Sequence, residues 1–443
     1  MTELILSRLD AEALRSKLIG HGNERCAILF TTTVEAGGIR RLLSREMEIP
    51  ESDDYASSGP LEAELKPAFV ARVTMRARRD GTGLVFVHSH PGDDSPRFSK
   101  VDAMGEERLA AFLAHRHAEV AHAALLVSTA GMCARILGTE EPIRIISVGS
   151  VREVLSMPRE SHSSGLDLFD RQIRLLGERA QQTLGSLRVA VVGLGGTGSL
   201  VTQQLVHLGI RSFILIDPDV IESSNLNRVT EATVKDIGRA KVDVAARYIS
   251  RFCDDAIVDR IQGDIMHTNV ARGLLAADVI FGCTDSHGSR SVLQQVAYQY
   301  LIPCIDMGVI ITATQDRITH IYGRVQLLAP GLPCLTCGGL LDANEVRRDM
   351  MTMFERRADP YFPGSQDPAP AVMSLNATVA AIATTMMLAV VAAFPSNARH
   401  LLYNAMNSTL RSIAAQSQPD CYICSRSGAL ARGDSWPLFA RSS

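Results

Sequence analysis

The stretch Val189-Ala-Val-Val-Gly-Leu-Gly-Gly-Thr-Gly-Ser199 sets Gly193, Gly195 and Gly198, with Gly196 between them, in a Gly-x-Gly-x-x-Gly turn that joins an apolar run to a helical pattern. A strand entering a helix through such a turn builds a parallel sheet. Its glycines also let phosphate approach backbone N–H groups and the positive helix end. Further apolar runs at Ser212–Asp217, Val279–Asp285 and Cys304–Ile310, several followed by helical stretches, predict a largely parallel sheet with helices on both faces. Strand signals from Ile318 to Gly331 add a partly antiparallel section. Asp217 ends its run about where a dinucleotide-binding fold places its ribose acid, so at this point a nicotinamide or flavin oxidoreductase competes with ATP chemistry.

The chain has 443 residues, 46% apolar and 21% charged, with 45 Lys and Arg against 48 Asp and Glu. That is ordinary globular composition with room for several domains, and it excludes a disordered chain and a strongly basic nucleic-acid binder. Nine cysteines are an odd number, and Cys334/Cys337 and Cys421/Cys424 form two Cys-x-x-Cys pairs, which points to metal ligation in a reducing cytoplasm. The first twenty residues carry Glu3, Asp10 and Glu12 among their apolar residues and lack the pattern of a secretory signal, so a cytoplasmic location is expected. Val372 to Phe394 is uncharged and long enough to span a bilayer, yet Ser374, Asn376, Thr378, Thr384 and Thr385 favour a buried helix, and no membrane partner is expected.

Pro, Ser, Gly and charge cluster between Ser156 and Asp167 and mark a linker, giving a first domain at 1–150, a linker at 151–166 and a second domain at 167–443. In the first domain Cys26–Val34, Gly83–His90 and His122–Thr129 read as strands and Asp10–Leu18 and Ser99–Ala114 as helices, a mixed α/β pattern. His88 and His90, two apart on a strand, project to one face, and Asp102 opens the next helix. Two imidazoles and one carboxylate hold zinc with a position left for water, and a nearby carboxylate then serves as base. Glu24, at the head of a strand, fits that role better than Glu35, Glu46 or Glu48; His21 and Cys26 read as structural. Ser99-x-x-Asp102 also has a plain reading as a helix N-cap.

The full spacing His88-Ser-His90-Pro, seven residues, Ser99-x-x-Asp102 resembles the JAMM (MPN/JAB) metalloproteases, which cut isopeptide or peptide bonds after ubiquitin-like tails. The resemblance covers roughly residues 1–145 and implies a cytidine-deaminase-like fold. It implies a catalytic zinc on His88, His90 and Asp102, Glu24 as general base, and Ser99 as oxyanion stabiliser.

Past the glycine turn, Asp217-Pro-Asp-Val-Ile-Glu-Ser-Ser-Asn225-Leu-Asn-Arg228, then Gly238-Arg-Ala-Lys241, then Cys283-Thr-Asp285 with Arg290, surround a nucleotide with cations and one late carboxylate. Triphosphate chemistry needs both, and hydride transfer does not. The set resembles the ThiF/MoeB-type adenylyltransferases and the adenylation domains of ubiquitin-activating enzymes, from about Asp170 to Cys424 and including Arg171-Gln172. The resemblance implies a Rossmann-like adenylation domain in which Asp217 binds ribose, Asn225, Arg228 and Lys241 contact phosphates, Asp285 binds Mg2+, and Arg290 belongs to the nucleotide site. It implies that Arg171 reaches a partner subunit of a homodimer, and that the four cysteines hold a closed structural zinc.

Thioester-forming members carry a cysteine before the long apolar helix, whereas Arg347–Pro370 contains none. The acyl-adenylate is then the final product, passed to a sulfur donor or to a conjugating-enzyme-like protein, unless Cys283 or Cys304 is the nucleophile. Together the resemblances imply that a ubiquitin-like protein with a Gly-ending tail is cut at the zinc site and adenylated with ATP and Mg2+. Alternatives are a sulfur-carrier pathway with the same two activities, and a non-catalytic module that only captures the ubiquitin-like protein.

Overall fold

The computed structural model describes residues 1–441 apart from 61, 93–95, 157–165, 315–316, 353–354 and 356–369. Most of the expected linker, and most of the loop that lacks a cysteine, fall outside the described residues. The chain divides into two compact units, one of Met1–Ser161 with Gln299–Leu301 and Ala429–Pro437, the other of the remainder.

The first unit contains β1 (Thr2–Ser7), α1 (Arg8–Leu18), β2 (Cys26–Ala36), β3 (Ile39–Glu48), a small hairpin of β4 (Tyr55–Ser58) and β5 (Ala63–Leu65), α2 (Pro67–Asp80), β6 (Gly83–Ser89), α3 (Lys100–Arg116), β7 (Ala123–Ser128), β8 (Gly131–Ile136), β9 (Pro142–Val148) and β10 (Arg152–Val154). Its main sheet runs β1-β3-β2-β6-β7-β8-β9-β10, and β1 pairs with both β3 and β9, so the sheet closes on itself like a barrel. The mixed α/β reading missed this closure because β1 and β3 lack clear alternation: all six residues of β1 are buried, Thr2, Glu3 and Ser7 among them. Glu3 is buried there against Arg41 of β3 at 3.1 Å. Residues 152–154, assigned to the linker, add a strand instead, antiparallel to β9. Both faces of β2 and β6 are covered. Ala27, Leu29, Val85 and Val87 pack with Leu14 and Leu18 of α1, while Ile28, Phe30, Leu84 and Phe86 pack with Phe69 and Val73 of α2 and Leu113 of α3.

The second unit contains α4 (Asp170–Leu176), α5 (Glu178–Ser186), β11 (Arg188–Val192), α6 (Gly196–His207), β12 (Ser212–Ile216), α7 (Lys241–Phe252), β13 (Ile257–Ile261), α8 (Thr268–Arg272), β14 (Val279–Gly282), α9 (His287–Gln299), β15 (Cys304–Thr314), β16 (Arg317–Leu328), α10 (Ala343–Met350), α11 (Met373–Val391), β17 (His400–Asn404) and β18 (Thr409–Ser412). The strand order is β13-β12-β11-β14-β15-β16-β17-β18. The first five strands are parallel and β15 through β18 pair antiparallel, as the alternation past Ile318 predicts. The order reverses between β11 and β14, which opens a crevice at their carboxyl ends. α11 is long and apolar enough to cross a membrane, but Val379, Ala380, Ala383, Met386, Met387 and Val390 are buried in one core with α6, β15 and β16.

Candidate functional site

In the first unit the site follows from strand register. β2 and β6 run antiparallel with Cys26 opposite His88, held beyond the strand end by Ser89 N–H donating to Arg25 O at 2.9 Å and Arg25 N–H to Ser89 Oγ at 3.0 Å. Two residues further, that register sets Glu24 across from His90, and Glu24 Oε1 lies 3.7 Å from His90 Nε2. His88 and His90 share a face, their rings 5.2 Å apart. Asp102 enters from the first turn of α3, with Oδ1 3.3 Å from His88 Nε2 and Oδ2 3.6 Å from His90 Nε2. Ser99 caps that helix: its Oγ accepts from Asp102 N–H, and its own N–H donates to Asp102 Oδ2 at 2.6 Å. The capping reading of Ser99 is therefore what this geometry contains, and the bond uses an oxygen lone pair while leaving the O–H to donate.

The electrostatics suit cation ligation. Burial lowers the His90 pKa, and His88 lowers it further, which favours the neutral ring a metal needs. Burial raises the Asp102 carboxyl, but His88 and the Ser99 donors outweigh it and hold the group below the usual carboxylate range. Glu24 is 6% exposed, and burial pushes it up to about 7. His88 Nε2 is buried without a hydrogen-bond partner among the described residues. Ligands about 2.0–2.1 Å from one ion stand roughly 3.4 Å apart in a tetrahedron, close to the two His–Asp separations here. The donor set of His88, His90 and Asp102 therefore fits zinc.

Behind the histidines is a support that sequence reasoning missed. Phe98 stands 6.0 Å from the His88 ring, and Arg135 of β8 lies 4.2 Å over Phe98. Arg135 also makes a two-pronged pair with Glu106, at 3.0 and 3.1 Å. Burial raises the Glu106 carboxyl despite Arg135. The position of Glu106, four residues past Asp102 on the same helical face, was the available signal.

In the second unit the glycines have separate reasons. Gly193 has φ +88, and a Cβ there would meet Cys283 O at 2.7 Å; one on Gly198 would meet Gly193 O at 1.8 Å. One on Gly196 would strike Asn376 Nδ2 of α11 at 2.3 Å, whereas Gly195 faces open space, which leaves the start of α6 approachable. Cys283 N–H donates to Val192 O at 2.8 Å, so the Cys283-Thr284-Asp285 turn sits beside the glycine turn at the sheet's crevice. Asp285 is exposed there.

From the other neighbouring strand Asp217, 4% exposed, accepts from Leu194 N–H at 2.6 Å and from Asp219 N–H at 2.9 Å. Burial raises its pKa against the pull of Lys241. Lys241 Nζ lies 2.7 Å from Asp219 Oδ2 and 3.6 Å from Asp217 Oδ1. Asn225 is buried and its Oδ1 accepts from Glu222 N–H at 3.1 Å, and the Arg228 guanidinium donates to Ser224 O at 2.7 Å.

Arg290, assigned to the nucleotide, donates from Nη2 to Thr284 O at 3.1 Å and Met307 O at 3.4 Å. Arg171 is exposed on α4, where its neighbour Gln172 donates to His207 O at the carboxyl end of α6. The glycine turn is at the opposite end of that twelve-residue helix, about 18 Å away, so Arg171 does not reach its own phosphate site. Cys283 and Cys304 are poor nucleophiles, because burial pushes both thiols far up.

The four cysteines of the two Cys-x-x-Cys pairs converge. Cys334 and Cys421 sulfurs are 3.6 Å apart, as are those of Cys337 and Cys424. Thiolates about 2.3 Å from a shared ion stand about 3.8 Å apart, so the four fit a closed tetrahedral zinc. Backbone N–H groups of Cys337 and Gln418 point at Cys334 and Cys337 sulfurs, at 3.4 and 3.3 Å, as donors to a thiolate would.

A glycine turn at the reversal of a parallel sheet, with an acid from each flanking strand, defines a Rossmann-like nucleotide-binding unit. The ThiF family model matches residues 169–423, more than half of the chain, and the chain belongs to the ThiF family. It is 27% identical over 267 residues to the SAMP-activating enzyme E1 of Haloferax volcanii, covering 59% of this chain and 90% of that relative. It is 25% identical over 258 residues to the molybdopterin-synthase adenylyltransferase of Escherichia coli, covering 58% of this chain and 95% of that protein. It is also 31% identical over 143 residues to the sulfur carrier protein ThiS adenylyltransferase of Escherichia coli, covering 31% and 55%. The family match begins at residue 169 and does not cover the N-terminal barrel-like sheet.

Proposed function

We propose that the chain activates the C-terminal carboxylate of a ubiquitin-like or sulfur-carrier protein by adenylation with ATP. The observation that carries this reading is the crevice between β11 and β14, where the glycine turn, Asp217 and an unencumbered Asp285 meet, in a chain whose ThiF-family relatives are named for activating such proteins. Asp217 orients the ribose, Asn225 contacts the phosphates, and Arg228 and Lys241 contact them and neutralise their charge as the tail carboxylate attacks the α-phosphate and pyrophosphate leaves. Asp285 would hold Mg2+, which would supply charge neutralisation at the phosphates. The distance of Arg171 from its own glycine turn supports a homodimer in which it serves the partner's phosphates. The acyl-adenylate passes to an external acceptor: Arg347–Pro370 holds no cysteine, and burial raises the Cys283 and Cys304 thiols, which disfavours the nucleophilic form. Cys334, Cys337, Cys421 and Cys424 would hold a zinc that ties the loop at Cys334 to the C-terminal segment and, with four thiolates closing its coordination, would take no part in the chemistry. The test is ATP–pyrophosphate exchange: it is expected to require a Gly-ending carrier protein and to fail in Asp285→Ala, and undiminished exchange in that variant removes the reading.

For the N-terminal unit we infer a JAMM-type zinc hydrolase that cuts a peptide or isopeptide bond after the same kind of tail. The orphaned Nε2 of His88 beside His90 and Asp102 supports it. Zinc held there supplies Lewis-acid activation of water and of the carbonyl. Glu24, poised near neutrality, takes the proton and delivers it to the leaving amine, and the Ser99 hydroxyl donates to the developing oxyanion. His88→Ala is expected to lose one equivalent of bound zinc and all cleavage of a tail extension while keeping pyrophosphate exchange. Full cleavage by that variant refutes the hydrolase.

A further inference from the structure

Arg290, assigned to the nucleotide from sequence, has its side chain held in a built receptacle. It sits five residues past Asp285, in the first turn of α9, and its guanidinium reaches back over the carboxyl end of β14 to Met307 within β15. Nη2 donates to Thr284 O, the carbonyl immediately before Asp285, and to Met307 O on β15. Nε stands 3.6 Å from Asp306 Oδ1, and Asp306 has no exposed surface. The next residue but one on β15 is Gly308, where a Cβ would lie 2.4 Å from Arg290 Nη2. Arg324 of β16 pairs with Asp306 from its other side, so that carboxylate keeps a counter-charge without Arg290.

Two features of the Cys304–Ile310 run, an interior acid and a glycine, thus form a seat for this guanidinium. What the seat fixes is the Thr284 carbonyl. Asp285 makes no hydrogen bond or ion pair of its own among the described residues, so the direction of its carboxylate depends on the turn that carries it.

We propose that Arg290 is a positioning residue: it pins the Thr284–Asp285 turn to β15 so that Asp285 is pre-set to bind the divalent cation, and it makes no phosphate contact. The inference rests on the adenylation reading of Asp285. Three variants test it. Arg290→Gln removes the pin and the charge. Arg290→Lys keeps the charge but loses the planar fork. Gly308→Ala keeps the arginine and pushes its guanidinium off the seat; because the clash is with the end of a flexible side chain, the fold is retained, which a thermal melt checks.

Mn2+ binding to the ATP-loaded protein, followed by electron paramagnetic resonance, is read beside ATP affinity at saturating Mg2+. Loss of tight Mn2+ binding in Asp285→Ala tests the adenylation reading by itself. Arg290→Gln and Gly308→Ala are expected to weaken Mn2+ by about tenfold, the scale of one or two lost hydrogen bonds, with ATP affinity at saturating Mg2+ nearly unchanged. Arg290→Lys is expected to fall between wild type and Arg290→Gln. Weaker ATP binding in Arg290→Gln with Mn2+ unaffected, or a Gly308→Ala protein that binds Mn2+ normally, overturns the proposal. Crystallography of Gly308→Ala gives a reading that does not depend on activity: the Thr284–Asp285 turn is expected to have moved, and an unmoved turn is contrary.

Discussion

At the scale of single residues, the most exacting positions are those where a side chain would collide with backbone. Gly198 is one, since a Cβ there would overlap Gly193 O at 1.8 Å. Gly198→Ala is expected to spread the turn and weaken ATP binding by tenfold or more, roughly 1.4 kcal/mol or above, measured by calorimetry. Glu231 carries a different cost. It is 8% exposed, its Oε1 has no partner among the described residues, and burial pushes its pKa up to about 8. The folded state then holds a proton that the unfolded state releases above about pH 4.5, so the contribution of Glu231 to stability is full below that pH and is lost as pH rises toward 8. Glu231→Gln is expected to raise the urea midpoint at pH 8 more than at pH 5, and equal changes at both pH values contradict this. The sequence makes the glycine turn legible because the constraint is local. It hides Glu231, because nothing in Val229-Thr-Glu-Ala232 tells that the carboxyl is buried. Arg290 is hidden in another way: an arginine five residues past Asp285 reads equally well as a phosphate ligand, and only the position of Gly308 and Asp306 on a separate strand shows where its guanidinium goes.

At the scale of elements, β2, β6, β7 and four strands of the parallel sheet, β11, β12, β14 and β15, were legible as apolar runs, whereas β13, an edge strand carrying Asp259 and Arg260, was not. β1, β8, β9 and β10 were not, since their partners come from distant parts of the chain and their burial mixes apolar with polar residues such as Glu3, Arg135 and Arg152. The cluster of His88, His90 and Asp102 that could hold a metal was legible from its spacing, but the register that sets Glu24 against His90 is a property of two paired strands. The same is true of the Glu106–Arg135 pair, which fastens α3 to β8 and so bears on where Asp102 stands. Arg135→Met leaves Glu106 buried and unpaired and is expected to destabilise the unit by about 3–5 kcal/mol, whereas replacing both partners by apolar residues recovers much of that loss. Chemical unfolding of the two variants measures the difference, and equal stability in both shows that the pair contributes nothing beyond packing.

At the scale of the whole molecule, the chain joins a barrel-like unit bearing a two-histidine, one-carboxylate cluster to a ThiF-family unit with a nucleotide crevice and a four-cysteine cluster. The two clusters differ in kind. Two imidazoles and one carboxylate leave a coordination position for water, and four thiolates leave none. Stripping metal with a strong chelator is therefore expected to lower the melting temperature mainly through the cysteine site, and Cys421→Ser to reproduce that loss, while His88→Ala leaves the melting temperature close to wild type. The chemistry proposed for the two units meets at one molecular end, the C-terminal glycine of a carrier protein. Intact-mass spectrometry of such a carrier after incubation with this protein, ATP and Mg2+ tests that most directly. The carrier is expected to gain one AMP on its terminal carboxylate, with no gain in Asp285→Ala or in a carrier lacking its last glycine. AMP on an internal residue of the carrier, or a carrier unchanged by the wild-type protein, would contradict it.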